Sequence, residues 1–222
     1  MAPFHAYRRS YHTDTVRRQF RRVSAVYDFW AGLTEGKAAR LVVEQAAVKD
    51  GDGVLEAAVG TGKLFLELLR RNPGGHTRGI DLTPEMVERT RNRLASMDFP
   101  RETDVKVEAG SALSLTYADR TFDCIVSTYM LDLLPVSAWK DVFSEFHRVA
   151  RPGARVVLAS FSFGWKWYHG FWRWLARVAP GLLTGCRPVE LAPALKDAGF
   201  TVDEQIPVSQ NTFPSEVIRA RV

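Results

Sequence analysis

Between residues 13 and 30 the apolar positions Val16, Phe20, Val23, Tyr27 and Trp30 recur at intervals of four, three, four and three, the stripe of one helix face. Arg17, Arg18, Arg21 and Arg22 lie beside or opposite that stripe, so the predicted helix is amphipathic and basic. A second short helix is expected over residues 35–48, ending before the turn Lys49-Asp50-Gly51-Asp52-Gly53. Short apolar runs then alternate with helix-length segments. Residues 54–58, 76–81, 105–108, 122–128 and 155–161 read as strands, and residues 63–71, 84–97 and 138–150 as helices. Turn chemistry fills the breaks: Asn72-Pro73-Gly74 ends the first of these helices and Arg151-Pro152-Gly153 the last. Thr83 and Pro84 mark the start of the middle one, as N-cap and first helical position. Strands separated by helices argue for a parallel sheet with right-handed crossovers and helices on both faces.

The pattern changes beyond residue 161. Residues 164–185 are aromatic and glycine-rich, and within them Trp165, Tyr168, Trp172, Leu175 and Ala179 recur at helical spacing. Lys166, Arg173 and Arg177 fall together on a neighbouring face. A helix over 188–198 and strands over 201–207 and 216–222 follow, and a closing antiparallel hairpin is the simplest use of that last pair. The expectation is one α/β domain: an N-terminal helical cap (1–48), a core (49–161), an aromatic basic segment (162–187), and a closing helix and strands (188–222).

Composition adds exclusions. The 222 residues are 46% hydrophobic and 25% charged, which suits a globular domain of generous size. Two cysteines, Cys124 and Cys186, are too few for a disulfide scaffold or a Cys-rich zinc site, and Cys124 reads as a small core hydrophobe in mid-strand. The five histidines are scattered, so no metal site is expected. Arg8 and Arg9 lead into more charge rather than an apolar run, and no stretch long enough to span a bilayer exists. The expected location is the cytoplasm. Residues 1–30 hold six arginines against two acids, nearly all of the formal charge of +5. That concentration points to an anionic partner: a membrane surface, a nucleic acid or an acidic substrate.

The first strand runs into Glu56-Ala57-Ala58-Val59-Gly60-Thr61-Gly62 and then a helix. Glycines at a strand-to-helix turn let backbone approach a ligand, and the helix start supplies N–H donors. Asp81 ends the next strand, where a carboxylate can accept both hydroxyls of a ribose. The turn is neither the dinucleotide fingerprint nor a phosphate-binding P-loop, because Gly62-Lys63-Leu64 lacks the required hydroxyl.

The run Val54-Leu55-Glu56-Ala57-Ala58-Val59-Gly60-Thr61-Gly62 resembles the first motif of class I S-adenosylmethionine (SAM)-dependent methyltransferases, and Gly79-Ile80-Asp81-Leu82-Thr83-Pro84-Glu85-Met86 their second. Gly110-Ser111-Ala112-Leu113 with Phe122-Asp123, and Arg148-Val149-Ala150-Arg151-Pro152-Gly153-Ala154, are similar to two further motifs. The resemblance covers roughly residues 20–206 and implies a Rossmann-like α/β fold: a seven-stranded, mostly parallel sheet with an antiparallel C-terminal hairpin. It implies SAM as cofactor, S-adenosylhomocysteine as product, and no metal. Gly60 and Gly62 then border the methionine part, Asp81 holds the ribose, Leu82 and Met86 flank the adenine, and Ser111 with Ala112 meets its edge. Glu56, Ala58, Thr61 and Ser127 complete that cofactor set. Two positions depart from the pattern. Ala58 replaces a common glycine and should narrow the turn, and Ser111 replaces a frequent acid, shifting adenine recognition toward backbone.

In similar enzymes the loop Ser127-Thr128-Tyr129-Met130-Leu131-Asp132 borders the methyl and its acceptor, which makes Tyr129 and Asp132 catalytic candidates. They read equally as a packed aromatic and a helix cap. Tyr27-Asp28 resembles a Tyr-Asp pair of quinone and lipid methyltransferases that lids the cofactor, although Tyr27 also fits a buried stripe. The whole chain is similar to the ubiquinone/menaquinone C-methyltransferase group and to bacterial phospholipid N-methyltransferases. The stretch from Gly32 to Arg40 lacks the His-Arg-x-x-Trp-Lys-type run of the quinone enzymes. The expected acceptor is a hydrophobic, membrane-associated molecule, a phospholipid amine or a quinol-type lipid. Arg17, Arg18, Arg21, Arg22, Lys166, Arg173 and Arg177 are then candidates for an anionic surface on the inner membrane face. A soluble acceptor under an aromatic lid is the alternative. Nucleic acid is disfavoured, because no Asn/Asp-Pro-Pro-Tyr-type motif for base methylation is present.

Overall fold

The computed structural model describes residues 34–99, 103–183 and 185–222. The predicted basic helix over 13–30, with Tyr27, Arg17, Arg18, Arg21 and Arg22, lies outside the described residues. The chain runs α1 (Gly36–Ala46), β1 (Gly53–Ala57), α2 (Lys63–Arg70), β2 (His76–Asp81), α3 (Pro84–Ala95), β3 (Asp104–Ala109), β4 (Phe122–Thr128) and α4 (Val136–Val149). It continues through β5 (Ala150–Phe161), α5 (His169–Val178), a 3₁₀ turn (Pro180–Leu183), α6 (Ala192–Asp197), β6 (Thr201–Gln210) and β7 (Phe213–Arg221).

The strands form one seven-stranded sheet in the order β3-β2-β1-β4-β5-β7-β6. The first five are parallel, and β7 inserts antiparallel between β5 and β6, so the sheet is Rossmann-like as expected. β1 is buried at every position because it has a partner strand on each side and helices on both faces. Its alternate side chains feed two cores. Leu55, Ile125 and Leu158 pack with Phe143 and Phe146 of α4 and Leu195 of α6. Val54, Cys124, Val126 and Val157 pack with Val42 of α1, Trp172 of α5 and Phe213 of β7.

Three local expectations are corrected. Arg151-Pro152-Gly153 lies inside β5, where Phe122 pairs with Ala150 but Cys124 already pairs with Arg155. The extra residues form a bulge, with Gly153 at φ 79° and its N–H bonded to the Val222 carbonyl. The aromatic helix starts at His169 rather than Trp165. The buried His169 ring explains why: its Nδ1 accepts the N–H groups of Trp165 (3.0 Å) and Lys166 (3.2 Å) and holds the preceding turn. The closing strands are also longer than the sequence pattern suggested, because β7 pairs on both sides and β6 follows it to the hairpin tip.

Gly79 shows how tightly β2 meets α2. A Cβ there would stand 2.7 Å from Val59 Cγ1 and 2.8 Å from Phe65 Cε2. Gly79→Ala is expected to lower unfolding free energy by about 1–3 kcal/mol through overpacking, read as a shifted denaturant midpoint with an unchanged slope.

Candidate functional site

Strand order reverses between β1 and β4, and their carboxyl ends open the crevice where α/β sheets bind ligands. Three chain exits meet there: the turn after β1, the turn after β2 and the loop after β4.

The first turn is built on left-handed backbone, with Ala58 at φ 67°, Gly60 at 53° and Gly62 at 78°. A Cβ on Gly62 would lie 2.7 Å from Thr90, whereas one on Gly60 would meet nothing within 4 Å, so Gly60 borders open space. Ala58 keeps the left-handed conformation at a backbone cost of about 1–2 kcal/mol. Its N–H and that of Val59 both bond the Ile80 carbonyl, at 2.8 and 3.0 Å, which pins the turn to the end of β2. Thr61 sits half-buried at the turn. The N-cap of α2 is Gly62, which has no side chain to bond the first N–H groups of the helix.

Asp81 joins the first two exits. Its Oδ2 accepts the Gly60 N–H at 2.9 Å and its Oδ1 the Thr83 N–H at 2.8 Å. The Thr83 hydroxyl also turns to Asp81, so α3 starts without the side-chain cap that the sequence suggested. With three donors on its two oxygens, the carboxylate keeps one lone pair for an incoming hydroxyl. Burial raises the Asp81 carboxyl above the usual range, and the two N–H donors oppose that.

Glu56 is buried beneath this pair, and its Oε2 has no hydrogen-bond partner. Burial, with the Asp81 charge adding to it, pushes its carboxyl well above the ordinary range. Two neighbouring carboxyls with one oxygen unsatisfied favour a cation between or beside them. SAM carries an ammonium and a sulfonium, so these residues fit it. Ser127 donates its hydroxyl to the Ala57 carbonyl at 2.8 Å and fastens β4 to β1 at the crevice.

A cavity of about 130 Å³ opens beside the turn after β3, lined by Ile80, Gly110, Ser111 and Leu115 among others. Ser111 thus faces a hollow, and Ala112 is buried next to it. Leu82 is half-buried and Met86 buried on α3, and neither lines this cavity.

The loop after β4 carries Tyr129 and Asp132. Tyr129 has a left-handed φ of 52°, uncommon for a bulky residue, and its buried hydroxyl lies 2.7 Å from Ser215 Oγ. It packs with Phe161, Trp172 and Phe213. Asp132 is fully buried; its Oδ2 accepts the Phe161 N–H at 3.0 Å and its Oδ1 has no hydrogen-bond partner. It caps no helix, because α4 begins at Val136 with Pro135 as its cap residue. Burial pushes its carboxyl up to about 7, against the Phe161 N–H and the Arg187 charge.

Glu35 joins this group and was not singled out from the sequence. Loss of solvation pushes its carboxyl up to about 8, the Asp132 charge adding to the effect and Lys63 opposing it. As the N-cap residue of α1 it makes no capping bond. Nothing local in Leu33-Thr34-Glu35-Gly36 signals this, since the partner stands 97 positions away at Asp132.

Comparison with known proteins agrees with this geometry. Residues 54–153 match a family model described as a methyltransferase domain. A ubiquinone/menaquinone biosynthesis C-methyltransferase of Cereibacter sphaeroides is 31% identical over 151 residues, 66% of this chain and 59% of the relative. The chain belongs to the class I SAM-dependent methyltransferases. A 2-phytyl-1,4-naphtoquinone methyltransferase of Nostoc punctiforme is 30% identical over 157 residues, covering 67% of this chain and 65% of that one. A SAM-dependent methyltransferase structure from Methanosarcina mazei superposes with a TM-score of 0.67 at 23% identity, over 81% of this chain and 96% of that one. The chain therefore spans about three fifths of the length of the first curated relatives it matches. In this methyltransferase the matched stretch holds Glu56, Asp81, Tyr129 and Asp132, while Glu35, Ser215 and the aromatic segment fall outside it.

The raised carboxyls make the fold sensitive to pH. Glu35 and Asp132 hold protons in the folded state that they release near pH 4 when unfolded. Their stabilising contribution is complete below pH 4 and is lost as pH rises through about 7 and 8. Unfolding free energy from denaturant titrations should therefore fall between pH 5 and pH 8, by up to about 2.7 kcal/mol per pH unit where both carboxyls are protonated only in the folded state. Asp132→Asn should flatten that slope.

Proposed function

We propose that this methyltransferase transfers a methyl group from SAM to a hydrophobic, membrane-associated acceptor, a phospholipid amine or a quinol-type lipid. The observation that carries the reading is the wall beside Asp132. The chain leaves β5 at Phe161, whose N–H bonds the Asp132 carboxylate, and returns at Val189, whose N–H bonds the Phe161 carbonyl. The Arg187 N–H also bonds the Asp132 carbonyl, at 3.3 Å. Everything between residues 162 and 189 is free of acidic residues and includes Trp165, Trp167, Trp172 and Trp174. An excursion of that composition, clipped at both ends to the loop after β4, suits an apolar acceptor better than a polar one. The names of the relatives, both quinone methyltransferases, support the quinol arm.

When bound, SAM supplies an electrophilic methyl on a sulfonium. The glycine turn, Asp81 and Glu56 would hold and orient its polar ends. Tyr129, buried with Phe161 and Trp172 in one apolar cluster, would help keep water from the reaction line, along which alignment provides much of the rate. Asp132 Oδ1 can take a proton from the acceptor, and a carboxyl near 7 is suited to that exchange at neutral pH. Among the described residues no helix is long and apolar enough to cross a membrane. In this reading the acceptor is reached from the cytoplasmic membrane face.

Labelled-methyl SAM incubated with the protein and a total lipid extract in detergent tests this. Label should partition into organic solvent, its chromatographic mobility separating a quinol from a phospholipid. Label confined to water would replace this acceptor class with a soluble one beneath an aromatic lid.

A further inference from the structure

The aromatic segment has two faces, and the structure assigns them differently from the sequence pattern. Trp172 is buried against Phe213, and its Nε1 bonds Thr212 Oγ1 at 3.1 Å. Leu175 packs partly buried on the same core. The opposite face carries a second stripe: Trp167, Phe171, Trp174 and Val178, at spacings of four, three and four, are 91%, 56%, 57% and 53% exposed. Leu182 continues it at 65% exposure. Buried aromatics lower free energy by leaving water, and a contiguous run of exposed ones on a ten-residue helix signals a partner surface.

Charge identifies the partner. Lys166, Arg173 and Arg177 flank the exposed stripe on one side, and no acid occurs from residue 162 to 189. Lys166 Nζ lies 5.7 Å from the Tyr168 ring and Arg173 bonds the Phe163 carbonyl, so both stems lie along aromatic and backbone surface. A tryptophan-rich stripe with a basic border matches the headgroup boundary of an anionic bilayer, where rings sit among acyl chains and cations meet phosphates.

The hairpin tip between β6 and β7 reinforces that choice. Gln210 accepts the Lys37 N–H at 2.5 Å in the first turn of α1, and Ser209 and Thr212 meet His169 and Trp172 of α5. The first turn of α1 and the start of α5 thus meet at the same hairpin tip. The sequence of residues 1–30 carries the same sign of charge, six arginines against two acids, and is a poor electrostatic cover for this face.

We propose that the outward face of α5 and its flanking turns, Trp167, Phe171, Trp174, Val178 and Leu182 with Lys166, Arg173 and Arg177 beside them, docks the protein on an anionic lipid surface. The proposal deepens the lipid-acceptor reading and rests on it for its purpose, since the same excursion is clipped to Asp132 at its base.

Co-sedimentation of the full chain with phosphatidylglycerol/phosphatidylcholine vesicles and with pure phosphatidylcholine vesicles tests it. The unsubstituted protein should favour the anionic vesicles, with tryptophan emission shifting to the blue. The pair Phe171→Ser/Trp174→Ser should lower that partition by about tenfold or more at unchanged thermal midpoint and SAM binding, because both side chains are exposed. If that pair misfolds, Lys166→Glu/Arg177→Glu supplies the same readout from the basic border. Partition unchanged in either folded variant overturns the proposal. So does loss of binding only on replacing Arg17, Arg18, Arg21 and Arg22, which would assign docking to the N-terminal sequence. A dimer that the serine pair converts to monomer, with no vesicle binding at all, would assign the face to a second copy. The acceptor reading fails separately: variant-sensitive vesicle binding with label confined to water supports the docking face and rejects the lipid acceptor.

Discussion

A carboxylate carried into a protein interior must be met by donors or give up its charge, and Asp132 does some of each. One oxygen takes the Phe161 N–H and the other is left unpartnered. That single bond ties the loop after β4 to the end of β5, and the returning chain adds backbone bonds from Arg187 and Val189. The placement of Tyr129, the departure of the aromatic excursion and the wall of the crevice all follow from this knot. A buried, incompletely paired acid is costly to the fold, which is why it stands out as a feature retained for chemistry.

The cofactor side shows the same economy. Glu56 and Asp81 are brought together under a turn with left-handed backbone at Ala58, Gly60 and Gly62. Here too the arrangement is electrostatically unsatisfied, with two carboxyls close together and one Glu56 oxygen unpaired. A cationic ligand there would relieve both sides of the problem, and its binding would then stabilise the fold. The strain at Ala58 is a smaller contribution of the same kind, held in place by two bonds to the Ile80 carbonyl.

The stretch matched by the family model ends at residue 153, before the aromatic excursion. The excursion after β5 has a buried stripe that closes the core and an exposed stripe that does not, separated by roughly half a helical turn. His169 anchors the start of α5 from below, and a Cβ at Gly164 would collide with its ring. The exposed stripe is thus presented by a fixed support, which is what a docking surface requires.

Local chemistry determined much of this protein in advance. The alternation of short apolar runs and helix-length segments gave the strand order its raw material, and the spacing of Gly60, Gly62 and Asp81 marked the turns that meet at the crevice, because turns and helix starts depend on neighbours in sequence. Tertiary structure decided what depends on distant partners. Arg151-Pro152-Gly153 became a bulge because β4 and β7 capture its flanks. Glu35 became part of the site because folding sets it near Asp132, and Asp132 became a knot rather than a cap because Phe161 reaches it first. Periodicity alone marked one apolar stripe on the aromatic helix, through Trp165, Tyr168 and Trp172, and missed the second through Trp167, Phe171 and Trp174. Only the packing of Phe213 against Trp172 settled which face is core and which meets the surroundings, since burial belongs to the assembled sheet and not to the helix.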